Sequence, residues 1–349
     1  MARFAFLATA TGHWNSPTMT SLALVADVGG TNARFALTDL SAPTPQLLQA
    51  QSLRNADYAS LQHAAEHYLS DVHGTPRHAA IAVACPVNTD EIRLTNRAWS
   101  FSRRELQQRL GLDELRMLND FGAVAWAVPA LRPDELVCLH GDAAAPLRGP
   151  VTVLGPGTGL GVALLNGSQE RGWQVVETEG GHVSFAPLGE EEHRIVRWLT
   201  ARFGRASTER LLSGNGLSHI DAALRGEDTG PAEGPTIALR APEAIVAAAL
   251  EGRDHDARRA LARFCAVLGS VAGDAALIHG ARTVMIAGGI VPRFVPFLRS
   301  SAFRERFLEK GRFAAYLESV VINLVTHPHP GLLGAAMALR GSATEDSTR

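Results

Sequence analysis

Two glycine turns set between β-type runs, one in each half of the chain, constrain the fold more than any other feature. The first is Gly29-Gly30-Thr31-Asn32, between runs 22–28 and 33–38. The second is Gly155-Pro156-Gly157-Thr158-Gly159, between 151–154 and 160–165. Glycines with Asn or Thr between β-rich runs are a hairpin signal. Their recurrence is a weak internal repeat and predicts two related α/β lobes facing one another across a cleft. The length agrees: at roughly 150 residues per domain, 349 residues make about two domains. With 46% hydrophobic residues, each lobe has enough apolar surface to bury a core.

The remaining pattern is α/β. Strands are expected at 79–84, 115–118, 283–287 and 320–325, and helices at 60–69, 121–128, 190–203, 208–213, 217–224, 242–250, 254–279 and 331–339. Ser102-Arg103-Arg104-Glu105 reads as a capping box opening a helix to about residue 110. The stretch 225–235, rich in Gly, Glu, Asp and Pro, reads as a surface loop. Residues 1–21 read as a flexible extension and 341–349 as a polar tail. The apolar run 4–10 is at the lower limit for a signal peptide, and His13, Trp14 and Asn15 follow it closely. Met19 is an alternative start. No run of about 18 apolar residues occurs, so no spanning helix is expected, and a cytoplasmic protein is.

Composition removes several function classes. The 33 basic residues balance 35 acidic ones, so nothing points to nucleic acid or a membrane surface. Three dispersed cysteines (Cys85, Cys138, Cys265) make neither a disulfide framework nor a zinc module. There is a single lysine, Lys310, in Glu309-Lys310-Gly311. That context fits neither a P-loop nor a Schiff base. A polyanion would have to be met by main-chain N–H groups, hydroxyls, arginine and Mg²⁺. The glycine turns offer this chemistry, since amides without a neighbouring Cβ can approach phosphate closely. Asp27, beside the first turn, suits Mg²⁺ held through water. Taken singly, each turn is also an ordinary hairpin.

Three polar clusters remain. In Asn119-Asp120, one residue suffices as a helix N-cap, leaving the other free to face a cleft at the end of a strand. An Asp there can accept a proton from a substrate hydroxyl, although a helix N-terminus weakens it as a base. In Glu177-Thr178-Glu179-Gly180-Gly181-His182, the Gly-Gly bend brings Glu179 and His182 together, with donor and acceptor capacity suited to a polyol. A hydrogen-bonded structural histidine is the alternative. Glu209, after Ser207-Thr208, taken alone reads rather as a dipole-stabilising first-turn acid of a short helix. Ala287-Gly288-Gly289-Ile290 after a strand resembles a close-approach turn beside a flat base or ribose.

Together these residues resemble the bacterial glucokinase family, in the hexokinase/actin-like superfamily. The resemblance spans about 22–339. Its landmarks, in order, are Asp27-Val28-Gly29-Gly30-Thr31-Asn32-Ala33-Arg34, Leu118-Asn119-Asp120-Phe121, Gly155-Pro156-Gly157-Thr158-Gly159-Leu160-Gly161, Glu179-Gly180-Gly181-His182-Val183, Glu209-Arg210-Leu211-Leu212-Ser213-Gly214 and Ala287-Gly288-Gly289-Ile290. It implies a two-lobed ribonuclease H-like/actin-like ATPase fold with a central cleft. The small lobe would span 22–130 plus 326–340 and the large lobe 131–325. ATP phosphates would lie against Ala26, Asp27, Val28, Gly29, Gly30 and Thr31 in one lobe and Gly157, Thr158 and Gly159 in the other, with Gly288 and Gly289 flanking the adenosine. Asn119, Glu179, His182 and Glu209 would hold glucose hydroxyls, and Asp120 would be the base for the 6-hydroxyl. A homodimer is implied as well. The zinc-binding cysteine cluster of related repressor/kinase proteins is absent, which places the chain on the zinc-free branch. Competing readings are a kinase of another hexose, a non-catalytic sugar sensor and an actin-like phosphohydrolase.

Overall fold

The computed structural model describes residues 21–94, 99–226 and 239–346, the stretch 342–346 by its backbone alone. The expected N-terminal extension and most of the expected 225–235 loop lie outside the described residues.

The first half opens as a meander, β1 (Leu22–Val28), β2 (Asn32–Asp39) and β3 (Leu48–Arg54), followed by α1 (Leu61–Asp71) and β4 (His78–Val83). After a small hairpin, β5 (Glu91–Arg93) and β6 (Ser100–Ser102), come α2 (Arg103–Arg109), β7 (Glu114–Asn119) and α3 (Asp120–Ala127). The second half contributes β8 (Leu136–His140), then a second meander, β9 (Val151–Pro156), β10 (Leu160–Ser168) and β11 (Gly172–Thr178). A helical run follows: α4 (Gly189–Phe203), α5 (Gly214–Leu224), α6 (Pro242–Glu251) and α7 (His255–His279). The chain then returns through β12 (Thr283–Ile286), α8 (Val295–Ser300), α9 (Phe303–Leu308), α10 (Ala314–Glu318), β13 (Val321–Val325) and α11 (Pro330–Asp346).

Sheet order turns the weak sequence repeat into a topological one. The first sheet runs β3-β2-β1-β4-β7 and the second β11-β10-β9-β12-β13-β8. In each, an antiparallel meander is extended by two strands parallel to its first strand; β8 is added antiparallel at the far edge of the second. This is the two-lobed α/β architecture of the actin-like ATPases.

Packing explains the helices between the sheets. α1 and α2 cover one face of the first sheet, and α5, α6 and α7 build the core on one face of the second. α3 lies between the sheets: Ala123 and Trp126 pack toward the first and Ala125 and Val128 toward the second. The small residues of α11 let it lie close on α3, since a Cβ at Gly334 would overlap the Ala123 carbonyl oxygen. Among the described residues, α7 alone is long and apolar enough to cross a membrane; 72% of its apolar window is buried in the core.

Local signals mostly hold. Ser102 caps α2 by accepting the Glu105 N–H at 3.2 Å, and Asp254 caps α7 through Ala257 N–H at 2.8 Å. Two expectations are corrected. Residues 208–213 form a turn, not a helix, because the Thr208 N–H and hydroxyl bond to Val183 and Gly181 carbonyls of a neighbouring segment. The expected polar tail at 341–349 is helical as far as Asp346, a continuation of α11. β3, β5, β6, β8, β11 and the short helices α8, α9 and α10 have no counterpart in the sequence reading. β3 and β11 are exposed edge strands whose mixed polar sequences carry little apolar alternation.

Candidate active site

β7 ends at Asn119, whose N–H bonds to Glu177 of the second sheet, and β9 and β12 end side by side where Gly288 meets the Pro156 carbonyl; ligands of α/β sheets gather at such carboxyl ends. The first turn is a tight hairpin closed by Gly29 N–H to the Asn32 carbonyl at 3.0 Å, and Asn55 Nδ2 donates to the Gly29 carbonyl at 2.8 Å. In the second turn Gly155 and Pro156 belong to β9, leaving Gly157-Thr158-Gly159 as the turn, closed by Gly157 N–H to the Gly159 carbonyl at 2.8 Å. Gly29 and Gly157 therefore spend their amides inside their own turns. The second turn is locked to the end of β12: a Cβ at Gly155 would overlap Ala287, and one at Gly288, where φ is +89°, would overlap the Pro156 carbonyl.

Asn119 and Asp120 divide the work at the start of α3. Asn119 is the N-cap, its Oδ1 accepting Phe121 N–H at 3.0 Å and Gly122 N–H at 3.2 Å. Asp120 Oδ1 also takes the Phe121 N–H, at 2.8 Å. Those amide bonds favour the ionised carboxyl, but burial outweighs them. Together with the nearby charges of Asp27 and Glu179, it pushes the Asp120 carboxyl up to about 6. The helix N-terminus, which on sequence grounds weakens the base, is thus the smaller effect. Asp27 is raised too, chiefly by burial, with Arg34 at 3.4 Å in partial opposition. Asp120 thus lies in the field of Asp27, in β1, and of Glu179, just after β11. Burial raises the Cys85 thiol, and the charges of Asp120 and Glu179 raise it further.

Of the four residues expected to meet hydroxyls, Glu179, His182 and Glu209 come together. His182 Nε2 lies 3.8 Å from Glu179 Oε2, and His182 Nδ1 lies 3.9 Å from Glu209 Oε1. The side chains of Glu179 and His182 are each 59% exposed and that of Glu209 33%, so a small polyol can reach all three. Glu209 arrives by a route that sequence reasoning did not foresee. It stands in a turn, its own N–H bonded to the Gly181 carbonyl at 2.9 Å, and its Oε2 accepts the Leu160 N–H at 3.0 Å.

Beside the second turn lies a cavity of about 420 Å³, lined among others by Gly157, Thr158, Gly289, Asn215, Ile290 and Arg293. Gly159 and Gly288 are not part of its lining. Asn215 and Arg293 were missed because nothing local marks them; they meet only where α5 and the segment after β12 approach the turn. Lys310 is elsewhere, paired with Asp274 at 2.7 Å. Among the described residues, no group of three or more His, Cys, Asp or Glu is placed to hold a metal.

Fold and site together describe a sugar kinase, and the chain's relatives agree. A family profile described as Glucokinase matches residues 24–342. The glucokinase of Yersinia pestis (strain Pestoides F) is 44% identical over 323 residues, covering 92% of this chain and 97% of that protein. The crystal structure of a glucokinase from an Antarctic psychrotroph superposes with a TM-score of 0.79 at 35% identity, over 91% of this chain and 98% of the other. A glucokinase from Balamuthia mandrillaris, solved in complex with glucose, shares the fold, with a TM-score of 0.74 at 21% identity over 92% and 94% of the two chains. The chain belongs to the glucokinase family.

Proposed function

We propose that the chain transfers the γ-phosphoryl of MgATP to the 6-hydroxyl of D-glucose, giving glucose 6-phosphate and ADP. The observation that carries this reading is the position of Asp120. It is a buried carboxyl raised to about 6, in the field of Asp27 beside the phosphate turn and of Glu179 in the hydroxyl cluster. A group with that affinity for protons is ionised at neutral pH yet basic enough to take one from an alcohol as phosphorus–oxygen bonding develops.

In this reading Asn119, Glu179, His182 and Glu209 bind the sugar hydroxyls, each of which both donates and accepts. The alcohol oxygen attacks the γ-phosphorus in line, its proton passes to Asp120, and the β–γ bridging oxygen leaves with ADP. The Gly29-Gly30-Thr31 and Gly157-Thr158-Gly159 turns, with Ala26 and Val28 behind the first, hold the phosphates. Gly288 and Gly289 stand at the nucleoside end, Gly289 within the cavity wall. Asp27 fits a hydrated Mg²⁺: it is a carboxylate raised by burial and only partly offset by Arg34, a setting that a cation relieves. Bound there, Mg²⁺ would supply charge neutralisation to the phosphates.

Lobe boundaries at 22–130 plus 326–340 and 131–325 belong to the same reading, supported by α11 packing on β1 and β4. So does a homodimer, which light scattering of the purified protein tests. The function itself is tested by a coupled ADP-release assay with a panel of hexoses and with ATP or polyphosphate as donor. Glucose with ATP is expected to give the highest kcat/KM. Preference for mannose or an N-acetylated amino sugar would overturn the substrate assignment, and no turnover with any hexose would overturn the reaction.

A further inference from the structure

Glu177 belongs to one sheet and bonds to the other. It is the penultimate residue of β11, an edge strand of the second sheet. Its Oε1 accepts the main-chain N–H of Asn119, the last residue of β7 in the first sheet, at 2.9 Å. The same carboxylate lies on Gly122 of α3, where an added Cβ would stand 2.5 Å from Oε1 and 2.7 Å from Cγ. Glycine is a poor residue inside a helix; here its missing side chain makes room for Glu177. Phe121, on the other side of Asp120, is held by the second sheet as well: its ring lies on Gly161 of β10, where a Cβ would overlap it. Both neighbours of Asp120 are thus pinned to the opposite lobe. Glu177 is also only two residues ahead of Glu179, in the segment that carries the hydroxyl cluster.

We infer that Glu177 is a positioning residue, which by holding the Asn119 amide from across the cleft sets the register of Asn119 and Asp120 against Glu179. This rests on the reading of Asp120 as the base. What the bond requires is an acceptor at the right reach, not a charge. Glutamine supplies one, aspartate is too short, and alanine leaves the Asn119 amide without its partner.

The test measures kcat, KM for glucose, KM for ATP and melting temperature for Glu177→Gln, Glu177→Asp, Glu177→Ala, Gly122→Ala and the Glu177→Ala/Gly122→Ala double variant. Glu177→Ala and Glu177→Asp are expected to lower kcat about tenfold with KM for ATP unchanged, a loss typical of a small misplacement of reacting groups. Glu177→Gln should recover most of that loss. Gly122→Ala, which displaces the carboxylate, should reproduce Glu177→Ala, and the double variant should be no worse than either, the mark of two residues acting through one contact. The inference is overturned if Glu177→Gln is as impaired as Glu177→Ala, if kcat is unchanged in Glu177→Ala, or if the 122 and 177 effects add. Asp120→Asn in the same series separates the two claims. Full turnover there overturns the base assignment, whereas non-additive melting temperatures at 122 and 177 report the contact independently of catalysis.

Discussion

Glu209 Oε2 accepts the main-chain N–H of Leu160 at 3.0 Å, so a residue of the hydroxyl cluster is fixed by the strand that leaves the second glycine turn. Gly159 makes this possible, since a Cβ there would sit 2.5 Å from Glu209 Oε2. On the proposed reading, the sugar and phosphate ends of the cleft would share this one hydrogen bond. Gly159→Ala is expected to raise KM for glucose in the direction of Glu209→Ala. Glu209→Gln, which keeps an acceptor for Leu160, should melt closer to the parent protein than Glu209→Ala does. Steady-state kinetics and thermal melts on the three variants check both.

Asp120→Asn should lower kcat about a hundredfold to ten-thousandfold, the usual worth of a positioned general base. Glucose affinity should change little, because the amide keeps the size and polarity of the carboxyl. Turnover close to that of the parent protein would remove Asp120 from the proton-transfer step.

Asp120 also sets a pH dependence. With its carboxyl raised to about 6, log kcat/KM should fall with unit slope below that pH, as the base becomes protonated in the free enzyme. Stability shows the opposite sign. A carboxyl whose folded-state pKa lies above its ordinary 3.8 penalises the folded state when ionised. That penalty is absent below 3.8, grows toward 6 and is complete above it, reaching at most about 3 kcal/mol. Asp120→Asn should therefore melt higher than the parent at pH 8 and not at pH 3.5. An equal shift at both pH values would contradict the raised carboxyl.

Glu179→Ala should raise KM for glucose more than KM for ATP, because it leaves sugar hydroxyls unpaired on binding. The effect should shrink for a deoxy sugar lacking the hydroxyl that Glu179 meets, and a panel of deoxyglucoses locates that hydroxyl.

Gly288 has φ +89° and faces the Pro156 carbonyl. Gly288→Ala adds a left-handed conformation worth roughly 1–2 kcal/mol of strain to a steric overlap. Lower melting temperature and a raised KM for ATP, with KM for glucose unchanged, are expected. An unchanged melt would show that the contact between β9 and β12 yields freely.

Much of this molecule is written locally. The glycine hairpins and the caps at Ser102, Asn119 and Asp254 depend on bonds between near neighbours in the chain, so residue type and spacing suffice to place them. The hairpins carry the internal repeat, while the third strand of each meander, β3 and β11, was not legible in the chain. Candidate site residues were legible as types for the same reason: Asn119 caps α3, and Glu179 and His182 meet across a Gly-Gly bend.

Other features depend on which distant segments touch. Thr208 takes its partners from Gly181 and Val183, and this denies 208–213 a helix and turns Glu209 toward Leu160. The cavity beside Gly157 exists only where α5 and the segment after β12 meet the turn. Burial between two lobes and the charges of Asp27 and Glu179 set the proton affinity of Asp120. Glu177 reads in the chain as one more acid on an edge strand, yet it holds Asn119 from the other sheet. Hydrogen bonds a few residues apart are encoded in composition and spacing, whereas desolvation and cross-lobe contact are properties of the assembled fold.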